Sequence, residues 1–203
     1  MENFDAASYD IIAREVFAPI YPHIAEEILE RGGISKGICL DAGCGGGYLG
    51  IAIAEKTGMN VYLLDSSEEM ISFAENNIKE KKLSERAKTI QAGVTSIPLE
   101  DSSVDLVISR GSVFFWNDIA KALQELFRVM KPGAFACIGG GLGTPEMRKE
   151  ILEEMKRRDP EWSPHFKRKD SSDEKYVKAL EESGIKDFKA RRDDSGFWME
   201  IRK

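Results

Sequence analysis

Histidine is nearly missing from this chain of 203 residues, which holds only His23 and His165. Cysteine is scarce as well. Cys39, Cys44 and Cys137 form an odd, scattered set without a C-x-x-C pair, which argues against a zinc site and fits a reduced, cytoplasmic setting. No apolar run approaches the roughly 18–20 residues that span a bilayer. Glu2, Asp5, Asp10, Arg14 and Glu15 give the amino end neither the basic start nor the apolar stretch of a signal peptide. Positive charge is not in excess either: 29 Lys and Arg against 35 Asp and Glu leave a net charge of −6. General nucleic-acid binding is therefore not expected, because phosphate backbones are held mainly by cations. What remains, 42% hydrophobic and 32% charged residues, is an ordinary globular balance that one core can serve.

Short β-branched runs alternate with longer amphipathic ones. The pattern predicts strands at Ile38 to Asp41, Asn60 to Asp65, Ala87 to Gln91, Val104 to Ser109 and Ala134 to Ile138. Helices are expected over Tyr48 to Lys56, over Ser67 to Lys81 with Ser66 or Ser67 as cap, and over about Asp118 to Met130. The last of these is stopped by Lys131-Pro132-Gly133. Such βα units imply an α/β fold with a mostly parallel sheet and helices on both faces. A helix over Ser172 to Ser183 and two runs flanking Asp193-Asp194-Ser195-Gly196 add a closing hairpin. Residues 8 to 31 read as one or two helices broken near Pro19 and Pro22. Residues 157 to 170 read as a long loop suited to a lid.

The most informative segment is Asp41-Ala42-Gly43-Cys44-Gly45-Gly46-Gly47, at the end of the first strand. Glycines let the backbone turn sharply and a ligand lie against it, and the next helix points free N–H groups to the same place. A nucleotide-like ligand is implied. Gly45 to Gly50 also fits G-x-G-x-x-G, a weak match in so glycine-rich a stretch. Asp41 discriminates, since a carboxylate at the mouth of the loop repels a pyrophosphate and attracts a cation such as S-adenosylmethionine. Asp65, ending the second strand, suits the two ribose hydroxyls. The competing reading of either aspartate is a helix cap or a solvated strand end.

On these motifs the chain resembles class I S-adenosylmethionine-dependent methyltransferases, in particular the small group typified by ubiquinone and menaquinone biosynthesis. D-x-G-x-G-x-G at Asp41 to Gly47, the acid-ended strand at Asp65, Ile97-Pro98-Leu99, Val104 to Val107 and Leu126 to Gly133 carry the likeness. It spans roughly residues 36 to 140. The resemblance implies a Rossmann-like, seven-stranded, mostly parallel sheet with a C-terminal antiparallel hairpin. It implies that Asp41, Gly43, Cys44 and Gly45 hold the methionine end of the cofactor. Asp65, Ser66 and Met70 would lie at the ribose and adenine, with Gly93, Val94 and Thr95 edging the base. Many relatives carry an aspartate near position 93, and this chain does not. In the family, the segment from Ser109 and Arg110 to Trp116 passes the methionine and faces the acceptor, which puts Ser109 and Arg110 among the implied cofactor-binding residues.

Methyl transfer is a displacement at a sulfonium, so alignment matters most and a base is needed only if the nucleophile keeps its proton. Arg110 is too strong a base to lose its own proton. It suits instead an anionic acceptor, the cofactor carboxylate or a neighbouring acid. His23 and His165, with Tyr9 and Tyr21, are weaker candidates for proton handling. Cys44 reads as a small loop residue rather than a reactive thiol. Trp116 is a candidate pocket residue. Lys156, Arg157, Arg158, Lys167, Arg168 and Lys169 would either greet an anion or form a solvated face. Gly139 to Gly143 reads as a hinge or a close-approach surface.

The whole is expected to be one domain: a helical cover (1–35), a cofactor core (36–140), a lid or acceptor region (141–171) and a closing helix and hairpin (172–203). The expected activity is methyl transfer to a small or medium-sized acceptor, leaving S-adenosylhomocysteine, with no metal. A non-catalytic S-adenosylmethionine-binding module and an NAD(P)-dependent oxidoreductase are the alternatives.

Overall fold

A computed structural model describes residues 5–161, 173–193 and 196–203. Its sheet has seven strands: β1 (Ile38–Ala42), β2 (Asn60–Asp65), β3 (Ala87–Gln91), β4 (Val104–Arg110), β5 (Met130–Gly141), β6 (Phe188–Asp193) and β7 (Gly196–Arg202). They run in the order β3-β2-β1-β4-β5-β7-β6. The first five are parallel, and β7 is antiparallel to both neighbours. Helices are α1 (Ala6–Glu15), α2 (Ile20–Gly32), α3 (Tyr48–Lys56), α4 (Glu68–Glu80), α5 (Ile119–Val129), α6 (Pro145–Arg158) and α7 (Glu174–Glu182). Apolar residues of alternate sheet faces form two cores. Ile20, Ile24, Ile53, Leu106 and Trp198 belong to one, and Leu40, Val107, Leu126, Tyr176 and Phe197 to the other.

The central strands are buried on both faces, as parallel strands under helices must be, which is why β1 and β4 are mostly apolar and do not alternate. Crossing from β1 into α3 requires a sharp reversal. Gly47 supplies it at φ +80°, a conformation that side chains with a Cβ rarely adopt. Ser67, not Ser66, caps α4 by accepting from the Met70 N–H, and Asp118 caps α5 in the same way.

Three expectations are corrected. First, β5 begins at Met130, directly after α5, so Lys131-Pro132-Gly133 lies within the strand rather than before it. A register shift between Val104 and Leu106 absorbs the irregularity. Second, the glycine run is strand and not hinge. Gly139, Gly140 and Gly141 pair with Trp198, Phe197 and Gly196 of β7. A Cβ on Gly139 would stand 2.1 Å from the Phe197 carbonyl oxygen, so close approach of two backbones is what the glycine permits. Third, the loop expected over 157–170 does not begin at 157: α6, a helix not among those expected from the sequence, runs to Arg158, its start marked by Thr144 accepting from the Met147 N–H and by Pro145 in the first turn. His165, Lys167, Arg168 and Lys169 lie outside the described residues, as does the start of the closing helix expected at Ser172.

Gly139→Ala should therefore lower stability by roughly 1–3 kcal/mol, an overpacking cost that shifts the midpoint by several degrees in a chain this size. Gly58→Ala is the control: a Cβ there meets nothing within 4 Å. Urea unfolding of both variants checks this, with Gly58→Ala neutral or slightly stabilised.

Candidate active site

The loop between β1 and α3 folds back on the end of β2, where Gly43 and Cys44 both donate to the Leu64 carbonyl at 2.7 and 2.9 Å. Asp65 then ties loop to helix. One carboxylate oxygen accepts from the Gly45 N–H and the other from the Ser67 N–H, each at 2.9 Å. On the other side, the Ser112 hydroxyl donates to the Ala42 carbonyl at 2.9 Å and meets the Ser109 hydroxyl at 2.6 Å. A Cβ on Gly43 would collide with Ser112 at 2.4 Å, so this glycine is what lets β4 close against the loop. Asn77 of α4 holds the loop from outside by donating to the Gly46 carbonyl at 2.8 Å.

Asp41 is not at the mouth of the loop. It is 2% exposed, inside β1, and one oxygen accepts from the Gly50 N–H in the first turn of α3 at 2.8 Å. The helix-cap reading thus describes part of its work, since Gly47 offers α3 no side-chain cap. The correction has an electrostatic consequence. Burial pushes the Asp41 carboxyl up to about 7, the Gly50 hydrogen bond pulls it back, and nearby Asp65 raises it further. A nearby cation favours the ionised form of an acid so placed.

The space above these groups is bounded and open. A Cβ on Gly45 would meet only Met70 Sδ at 3.8 Å and Tyr9 at 4.0 Å, and one on Gly111 only the Tyr9 hydroxyl at 3.9 Å. Tyr9, on α1, therefore roofs a gap between the glycine loop and the end of β4. Its neighbour Asp10 anchors that helix by accepting from the Tyr48 hydroxyl at 2.8 Å. Ser66 is exposed, Met70 is buried beneath the gap, and Gly93 faces open space just past β3, where Ala92 donates to the Asp65 carbonyl. Val94 packs on the second core, leaving Thr95 half-buried. The structure thus gathers the loop, Asp41, Asp65, Met70 and Gly93. Sequence reasoning missed Asn77 and Asp10, because only the packing of α1 and α4 brings them to the loop.

Other candidates are distributed differently. Arg110 makes no hydrogen bond to the loop among the described residues; its Nε donates to the Gly141 carbonyl at 3.1 Å and its guanidinium lies over the rings of Phe17 and Tyr21. His23 stands beside Gly143, 3.8 Å from Glu27, with no contact to the loop among the described residues. Tyr21 stacks on Tyr48, and burial pushes both phenols up, Tyr48 to about 12. Burial likewise holds the Cys44 thiol well above 9, so it stays protonated near neutral pH. Trp116 packs partly into the second core with Phe114, while Phe115 is 54% exposed. Arg157 and Arg158 pair with Glu154, and Arg158 also with Glu15, so neither is a free anion receiver.

A cradle of this design fits a ligand with a nucleoside part and a cationic end: an acid at each of two neighbouring strand ends, and bare backbone between them. A family profile described as a methyltransferase domain matches residues 40–138. The chain is 42% identical to a Methanococcus maripaludis protein whose crystal structure is provisionally assigned as an S-adenosyl-L-methionine-dependent methyltransferase. That match covers 100% of this chain and 95% of the other, with a TM-score of 0.93. Malonyl-[acyl-carrier protein] O-methyltransferase of Pectobacterium atrosepticum is 35% identical over 50% of this chain and 39% of its own length. Demethylmenaquinone methyltransferase of Geobacillus is 34% identical over 53% of this chain and 47% of its own. The chain thus spans about half, or less, of the length of these two curated relatives. It belongs to the S-adenosylmethionine-dependent methyltransferase family.

Proposed function

We propose that the protein transfers a methyl group from S-adenosylmethionine to a small or medium-sized acceptor. The observation that carries this reading is the open gap over Gly45, with Asp41 and Asp65 at the ends of adjacent strands below it. In this reading Asp65 receives the ribose hydroxyls with the lone pairs left over from Gly45 and Ser67, and Met70 and Ser66 lie near the sugar and adenine. Gly93, Val94 and Thr95 edge the base. Asp41 supplies the negative charge under the loop, where Gly43, Cys44 and Gly45 leave backbone for the methionine end. When bound, S-adenosylmethionine supplies a methyl group on a positively charged sulfur.

The chain's own contribution is alignment and exclusion of water. Ser109 acts through Ser112, fixing the end of β4 against the loop, and Tyr9 closes the gap from above. The phenols of Tyr21 and Tyr48 and the Cys44 thiol all hold their protons, so none of these three serves as a general base. We infer an acceptor atom that is already nucleophilic at neutral pH, or that loses its proton to water. Near-attack placement alone contributes roughly 7–11 kcal/mol in favourable systems. A site in which these three groups take no proton also suits a non-catalytic binding module, which the absence of turnover across acceptor classes would favour. Of the described residues, 5–35 and 141–161 are proposed to cover the acceptor.

A thermal-shift panel of S-adenosylhomocysteine, S-adenosylmethionine, NADH and NADPH tests the cofactor. At a hundred times its dissociation constant a ligand adds about 2.7 kcal/mol, hence roughly 5–11 °C for a chain of this size. The two adenosyl compounds alone should stabilise the protein; a shift with only a nicotinamide cofactor contradicts the reading. Asp65→Ala should weaken S-adenosylhomocysteine by roughly 10- to 100-fold by calorimetry.

Asp41 predicts a pH dependence of the ligand-free protein. Its folded pKa, about 7, lies above the ordinary carboxyl value of 3.8, so the native state holds the extra proton between those values. Stability contributed by that proton is present below about pH 4 and is lost as pH rises to about 7, with a slope of at most about 1.4 kcal/mol per pH unit. Asp41→Asn, which keeps an acceptor for Gly50, should remove this component from pH-dependent urea unfolding. An unchanged difference profile would show that Asp41 titrates normally.

A further inference from the structure

We infer that Arg110 is an oxyanion receptor on the acceptor side of the cleft, so the acceptor carries a carboxylate or phosphate-type group; the inference rests on the methyltransferase reading above. Arginine has five N–H donors. Arg110 spends one, from Nε, on the Gly141 carbonyl. Among the described residues no carboxylate pairs with it. Other guanidiniums of the fold are used up differently. Arg86 donates to the carbonyls of Ala54, Thr57 and Met59, and Arg128 to those of Ile97 and Leu99 as well as to Glu125 and Asp101. Arg110 is half-buried, in a net-negative protein, and its two terminal nitrogens make no hydrogen bond among the described residues.

Its placement distinguishes acceptor from cofactor. Ile108 of β4 pairs with Asp41, so Arg110 stands two residues nearer the open end of the sheet. The two acids of the proposed cofactor site belong to β1 and β2. The Arg110 Nε is bonded to the end of β5, on the other side of β4 from β1. Phe17 and Tyr21, with ring centroids 5.0 and 5.3 Å from the guanidinium carbon, hold it there. Two aromatic rings fix the orientation of a planar fork without neutralising it. Such a fork matches the two oxygens of a carboxylate or phosphate. The rings come from α2 and the segment before it, so the amino-terminal cover would set acceptor choice through this arginine.

The test uses the full chain saturated with S-adenosylhomocysteine, titrated with benzoate, phenyl phosphate and neutral benzamide at matched ionic strength, and read by calorimetry and thermal shift. Benzoate or phenyl phosphate should bind wild type and benzamide should not. Arg110→Met should weaken the oxyanion by about 10- to 100-fold while leaving S-adenosylhomocysteine affinity within about twofold; Arg110→Lys should retain part of it. Equal response to benzamide and the oxyanions, or no response to any, overturns the inference without a variant having to fold. So does an Arg110→Met protein that loses S-adenosylhomocysteine by tenfold or more, since the arginine would then serve the cofactor. Wild type that does not bind S-adenosylhomocysteine at all overturns the methyltransferase reading, and this inference with it.

Discussion

A carboxylate buried without a counter-cation is the constraint on which this site depends. Asp41 sits inside the sheet, where the chain has to bury β1 on both faces, and its single described hydrogen bond comes from the first turn of α3. That bond does structural work, because the glycine that turns the chain into α3 brings no cap of its own. One hydrogen bond does not offset the desolvation of a full charge, so the carboxyl is pushed up to about 7. In the reading proposed above the remedy is a bound cation, which would couple fold stability to ligand choice through one side chain.

The charges of the cleft are segregated by strand. Acids terminate β1 and β2, and the arginine that terminates β4 is bonded to the end of β5. Two serines join these halves: Ser109 of β4 bonds Ser112 just past it, and Ser112 donates to the Ala42 carbonyl. Helix α1 spans the divide from above. Asp10 fastens it to Tyr48 while Tyr9 covers both Gly45 and Gly111. An opening that receives positive charge on one side and negative charge on the other is suited to two different ligands.

Much of this was legible in the sequence, and the failures have physical causes. The bounds of β2, β3 and α3 follow from periodicity alone, because flanking glycines, caps and charges agree with the apolar pattern. The D-x-G-x-G-x-G segment and Asp65 gave the ligand class. Periodicity gave no warning that Asp41 was interior, since a residue ending a strand fully buried on both faces shows no alternation. Gly139 to Gly141 resisted reading because glycine has no strand preference; their role is created by the approach of β7, a segment nearly 60 residues away. Helix α6 was overlooked although Thr144-Pro145 is a start signal, its polar composition masking Ile151 and Met155. The setting of Arg110 between Phe17, Tyr21 and Gly141 is wholly tertiary. No spacing in the chain encodes it.

The central claim, that Asp41 is a carboxyl awaiting a cation, is tested most directly by counting protons. Calorimetry of S-adenosylhomocysteine binding at pH 7, in buffers of different ionisation enthalpy, reports the protons released per ligand bound. A carboxyl poised at about 7 is half protonated there. Pairing with the ligand's ammonium should drive off about half a proton, and Asp41→Asn should release none. Binding without proton release in the wild type, or equal release in both proteins, would contradict the account.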